Sequence, residues 1–224
     1  MKYLLQISRK NFRASIIGLG AFIVGAILTT NSVVAEPFEN DLLVIQTQWA
    51  TANYELKDKA KLKAFSHLAE QAHDFVKANP NKAEPLIWEA IVRSTWAGAK
   101  GGLGALSLVK EAKALLEKAI AIDPNALDGS AYTSLGSLYY QVPGWPIGFG
   151  DEEKAERYLK QALTMNPQGI DPNYFYADYL KEAGNKMEAK RYFEKALAAP
   201  ERTNRSLADA GRRNEIKNKL AELN

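Results

Sequence analysis

Residues 171–200 read DPNYFYADYLKEAGNKMEAKRYFEKALAAP, and residues 132–167 read YTSLGSLYYQVPGWPIGFGDEEKAERYLKQALTMNP. Set in register, the two stretches share one pattern. The later copy offers Tyr174, Tyr176-Ala177, Leu180, Gly184, Ala189, Phe193, Ala196-Leu197 and Pro200. The earlier copy offers Tyr132, Leu135-Gly136, Tyr139, Ala155, Leu159, Ala162-Leu163 and Pro167. Each predicts a helix with a small residue at its middle, a second helix carrying Ala-x-x-x-(Leu/Phe)-x-x-Ala-Leu, and a closing proline. Small residues at fixed places let two antiparallel helices approach closely, while larger side chains fill the gaps between them. The expected fold class is therefore all-α, an array of antiparallel helix pairs.

Working outward, the closing prolines fall at Pro80, Pro124, Pro167 and Pro200, with spacings of 44, 43 and 33 residues. This pattern resembles the tetratricopeptide repeat (TPR), a unit of 34 residues with Leu-Gly in its first helix, Ala and Phe in its second, and a final Pro. The resemblance is good from Ala83 to Pro200 and poor over residues 41–80. It divides the chain into a degenerate N-terminal pair (36–80), two enlarged repeats (81–124 and 125–167), a near-standard repeat (168–200) and a capping helix with its linker (201–224). The enlarged repeats carry their surplus between first and second helix: Gly98 to Ala105, which is glycine-rich, and Val142 to Gly150, which mixes Pro, Gly and Trp. Insertions in consecutive repeats should lie along the same edge of the array. The resemblance further implies a right-handed superhelix whose first helices line a concave face, with Ile87, Ile91, Thr133, Ser137, Tyr140, Tyr174 and Asp178 directed into it. It implies a binding role without catalysis, toward a protein or peptide partner or a small organic ligand. With an export signal and long insertions, the chain is also similar to the periplasmic T component of TRAP transporters, although it has no cysteine for a lipid anchor.

Helix ends are marked by short-range signals. Asn40, Asp128, Asp151 and Asp171 each stand where a side chain can cap a following helix, Asp171 with a proline behind it. Gly184 suits the left-handed position after a helix, and Asn185 with Glu188 forms a capping box for the next one. A final helix from about Leu207 to Leu223, with Ile216, Leu220 and Leu223 on one stripe, is expected to cover the last repeat.

The first 35 residues have the layout of a signal peptide. Lys2, Arg9, Lys10 and Arg13 form a basic start, Ile16 to Leu28 is an apolar run of 13 residues, and Val33 and Ala35 precede an expected cleavage between Ala35 and Glu36. The run is short of the ~20 apolar residues a membrane span needs. The expected destination is the periplasm, with no membrane span in the mature chain. The whole chain has 29 basic and 26 acidic residues. Removing the four basic residues of the leader leaves 25 basic against 26 acidic, a balance that argues against nucleic acid as a partner. Without cysteine, an exported chain of this size is held by packing alone.

No catalytic constellation stands out. His67 and His73 are the only histidines and lie six residues apart, off a common helix face. No Gly-x-Ser-x-Gly elbow is present. Lys100-Gly101-Gly102-Leu103-Gly104 departs from the phosphate-loop pattern and follows no strand. The expectation is a non-enzymatic scaffold with no cofactor and no metal, an uptake accessory as the second reading and a small enzyme using the loops as the third. The candidate contact residues are Trp96, Lys100, Leu103, Tyr140, Trp145, Phe149, Tyr174 and Asp178. The loop Pro143 to Asp151 is unusual in carrying Trp145, Ile147 and Phe149 where loops are normally polar. Its rings either plug a helix pair or contact a ligand.

Overall fold

The computed structural model describes residues 37–223. Ala35 and Glu36 and the leader before them lie outside the described residues. The described part is all-helical: α1 (Pro37–Tyr54), α2 (Asp58–Ala78), α3 (Ala83–Lys100), α4 (Gly102–Ile122), α5 (Ala126–Gln141), α6 (Glu152–Met165), α7 (Ile170–Glu182), α8 (Lys186–Leu197) and α9 (Ser206–Glu222). Each odd-numbered helix up to α7 packs on the even-numbered helix that follows it, which makes four helix pairs. The first helices also touch one another in sequence, α1 on α3, α3 on α5 and α5 on α7, and so form an inner layer. No helix among the described residues is long and apolar enough to cross a membrane.

The repeat positions become the core. Ala155, Leu159, Ala162, Ala189, Phe193 and Ala196 are all fully buried. Leu135-Gly136 explains the spacing of α5 and α6. A methyl group added at Gly136 would lie 2.6 Å from Leu159 Cγ and 3.1 Å from the Leu159 backbone nitrogen. The two helices therefore touch through a backbone that no other residue could present. Apolar burial of this kind, ~25 cal/mol per Å² removed from water, is what holds a chain without disulfides.

Local signals decide several boundaries. Asp151 caps α6 by accepting from Lys154 N at 3.0 Å, and Asn185 caps α8 by accepting from Glu188 N at 3.4 Å. Gly184 adopts φ +81°, and Asn185 N donates to Leu180 O at 2.8 Å to close α7. Three cap assignments differ from expectation. α1 begins at Pro37, so Asn40 lies inside it; a proline at the first helical position needs no hydrogen bond there. Leu127, Asp128 and Gly129 form a left-handed turn with φ of 50°, 53° and 76° at the start of α5, which takes Asp128 out of capping geometry. Asp171 sits within the first turn of α7 after Gly169, and its carboxylate goes to two arginines.

The first insertion is not a loop. Residues 98–100 extend α3 and residues 102–105 begin α4, so the surplus lengthens both helices. Only the link turns, with Gly101 at φ 64° and Gly102 at φ 62°, conformations that other residues adopt at a cost. Alanine and leucine around that pair favour helix, and the glycines were needed only at the corner. The second insertion, 142–150, is irregular.

Ala162→Leu and Ala196→Leu each overpack a fully buried contact and should lower stability by about 1–3 kcal/mol, read as a shift in urea midpoint at constant slope. Neutral behaviour at both would refute the packing register.

Candidate functional site

α9 does more than cover the last pair. Ile216, Leu220 and Leu223 pack into the core of α7 and α8, while Leu207 and Ala208 pack into the core of α1 to α3. α9 thus contacts α1 at one end of the inner layer and α7 at the other. Between them lies a cleft of about 230 Å³. It is walled by Trp49 and Asn53 of α1, Trp88, Ile91, Ser94 and Thr95 of α3, four hydroxyl residues of α5, Asp171 and Phe175 of α7, and Arg202, Arg205 and Arg212.

An ion cluster docks α9. Asp171 accepts from Arg202 at 2.7 Å and Arg212 at 2.9 Å. Asp209 accepts from the backbone N of Arg202 at 2.9 Å and from its Nε at 2.7 Å. Arg212 also pairs with Glu215 and lies over the rings of Tyr174 and Phe175, 4.2 and 4.9 Å from their centres. Burial would raise the Asp171 carboxyl, but Arg212 and Arg202 outweigh it and hold it down at about 2. Burial pushes the Tyr174 hydroxyl up to about 12 against the opposing field of Arg212.

Of the expected concave-face residues, Ile91, Thr133 and Ser137 line the cleft, Tyr140, Tyr174 and Asp178 lie at the closure, and Ile87 is instead fully buried in the core with Ala112 and Leu116 of α4. The Tyr140 hydroxyl donates to Asp178 at 2.8 Å, and Lys219 of α9 donates to the other Asp178 oxygen at 2.6 Å. Burial and the Asp178 charge raise the Tyr140 pKa well above its ordinary value. Tyr140, Tyr174 and Asp178 are therefore engaged by the chain itself.

A second, more apolar cleft of about 530 Å³ lies between the two insertions. Gly98, Gly102 and Ala105 line it from the first, and Val142, Pro143 and Ile147 from the second, with Ala97, Leu106, Val109 and Leu138 behind. Trp96 and Lys100 are not part of it. Trp96 is half-buried against the N-terminal core, with Lys100 Nζ 5.4 Å from its ring centre. Leu103 lies in α4, and its side chain is outside the described residues.

The loop 142–151 does two things at once. Phe149 packs edge-on against Tyr139 at 5.6 Å. Gly150 N donates to Pro143 O at 3.0 Å and Asp151 N to Tyr139 O at 2.9 Å. Those contacts anchor the loop's ends. Its tip points away from the core, with Trp145 90% exposed and Ile147 64% exposed. The residues that sequence reasoning missed are Trp49, Trp88, Arg202, Arg205 and Arg212. The arginines read as a polar linker, and only the choice of arginine over lysine hinted at paired, buried use.

Residues 147–168 match the family model described as tetratricopeptide repeat. Among solved structures, a thermophilic TPR protein of Thermus thermophilus is similar at 17% identity with a TM-score of 0.54, covering 82% of this chain and 99% of that one. MamA protein aligns at 18% identity with a TM-score of 0.42, covering 82% of this chain and 91% of that one. No curated protein matches in sequence. The likeness to the thermophilic protein is one of fold: the described helices form a TPR-type array.

Asp171 carries a pH prediction. Its folded pKa is below the ordinary carboxylate value near 4, so its contribution is present above that value and lost as pH falls toward about 2. Urea midpoints measured from pH 5 down to pH 2 should fall less steeply for Asp171→Asn than for the wild type, from a lower starting stability. Parallel curves would show that the pair does not stabilise the fold.

Proposed function

We propose that the chain is an exported, non-enzymatic helical-repeat scaffold that binds a protein or peptide partner in the periplasm. The fold supports a scaffold reading, since TPR-type arrays generally serve protein interaction. The observation that carries the reading further is the loop tip. Trp145 and Ile147 are large and exposed on a loop whose two ends are hydrogen-bonded. Ordered aromatic residues held out on a rigid support are the usual anchors of interfaces. The partner surface is this tip, because Tyr140, Tyr174 and Asp178 are already engaged by one another or by α9. The similarities lend no support to a TRAP-type uptake role.

Export is tested by sequencing the N-terminus of protein recovered from its own host. The expected first residue is Glu36, and intact Met1 on membrane-bound material would overturn the assignment.

Replacing Trp145 with a photo-crosslinking amino acid should yield a discrete protein adduct in the host envelope. The adduct should be lost when excess unlabelled wild-type protein competes and kept when Trp145→Ala protein does. Trp145→Ala itself should change stability by no more than about 0.5 kcal/mol, as for other exposed sites. A variant that unfolds, or one that competes as well as wild type, would show that the ring is not a contact.

A further inference from the structure

The central cleft and the apolar cleft share Ser94, Thr95, Ser137 and Phe175 in their walls. The clefts adjoin across these four residues, and their linings have opposite chemistry. One cleft is apolar, built from Leu106, Val109, Leu138 and Val142. The other is basic and rich in hydroxyls.

Arg205 is the odd member of the basic cleft. Arg202, Arg212 and Arg213 each pair with a carboxylate of Asp171, Asp209 or Glu215. Among the described residues no carboxylate pairs with Arg205, whose guanidinium lies 4.9 Å from the Trp88 ring centre. Asp171 and Asp209 act on Arg205 only at longer range, so its guanidinium has no carboxylate in contact. Burial and the neighbouring Arg202 lower the Arg205 pKa to about 10, so it still carries its proton at neutral pH. The Nε of Arg205 and the Nε1 of Trp88 are both buried without an acceptor. A buried donor without an acceptor is costly, and a guanidinium with donors to spare suits an oxyanion. Water or inorganic ions could fill the basic cleft alone, but neither would use the apolar cleft beside it.

We propose that the adjoining clefts bind one amphiphilic anion, its carboxylate or phosphate head at Arg205 beside Trp88 and its apolar tail between α3, α4 and α5. Arg205 supplies the charge and the planar donor pair. The hydroxyls of Ser130, Thr133 and Ser134 surround the head, and Leu106, Val109, Leu138 and Val142 cover the tail. The size of the apolar cleft suits a small ligand. This goes beyond the scaffold reading, and neither depends on the other: the partner test reads Trp145, which lines neither cleft.

The test is calorimetric titration of the purified protein with decanoate, decyl phosphate and decanol, each below its aggregation threshold, and with inorganic phosphate. The expected result is saturable binding of at least one of the two charged amphiphiles. Arg205→Gln should weaken it about tenfold or more and leave the binding of decanol unchanged. The head group that suffers this loss is the one the site takes. Val109→Trp, which fills the apolar cleft, should abolish amphiphile binding. Thermal unfolding of both variants is measured alongside, and Arg205→Gln alone decides if Val109→Trp does not fold. The proposal is overturned if neither charged amphiphile saturates, if decanol binds wild type as tightly as they do, if inorganic phosphate alone binds as tightly, or if Arg205→Gln binds both as wild type does.

Discussion

The structure depends on the pairing of Asp171 with Arg202 and Arg212. Asp171 starts α7, and the two arginines flank the start of α9. Charges removed from water must be paired, and here the partners come from elements 31 and 41 residues apart. The pair therefore fixes where α9 lies. With α9 in place, Lys219 reaches Asp178 and Leu207 reaches the N-terminal core. The hydrophobic stripes supply the adhesion, and the ion cluster supplies the register.

The same competition explains why one capping signal misled. Asp171 before Pro172 has every local property of a cap. Two guanidiniums outbid a backbone N–H for its oxygens, because each brings a full positive charge to one carboxylate oxygen where the N–H brings only a dipole. Asn185 meets no such rival, and Asp151 serves both demands, accepting from Lys154 N with one oxygen and pairing with the Lys154 ammonium at 2.8 Å with the other. Asn40 and Asp128 lose their caps to the backbone path, not to a rival charge. Local reading succeeds where the contacts are local. The helix pairs were legible for that reason: Ala162, Ala196 and Gly136 encode contacts between adjacent helices, and adjacent helices are close in sequence. The closure by α9 was not legible, since its partners are far apart in the chain and Arg202 to Arg213 look like any solvated linker.

The two insertions show how composition can mislead in opposite ways. Gly98 to Ala105 looks like a loop and is mostly helix, because alanine and leucine outweigh glycine except at the corner of Gly101 and Gly102. Val142 to Gly150 is a loop and divides its apolar residues between two roles. Phe149 turns inward onto Tyr139, and Trp145 turns out. The choice between plug and contact was posed for the loop as a whole, but its physics differs residue by residue. Of the candidate contact residues, Tyr140, Tyr174 and Asp178 were found in the inner layer, where the repeat register put them, already bound to one another or to α9. Arg205 and Trp88, which leave hydrogen-bonding capacity unused, carried no signal beyond their residue types.

The close contact between Gly211 and Tyr54 has a consequence for how such a chain can change. A methyl group at Gly211 would come within 2.4 Å of the Tyr54 ring, so α9 meets α1 with no clearance. An open solenoid is a sum of neighbouring units, frays from its ends and tolerates gain or loss of a unit. Once the last helix seats on the first, the count of units is locked. An added pair would carry α9 away from Tyr54, and a deleted pair would drive the two together. Duplication of repeats, the ordinary route by which such arrays diversify, is closed to this chain unless the seam is broken first. Its unfolding should accordingly be a single cooperative event, with no gradual loss from either end.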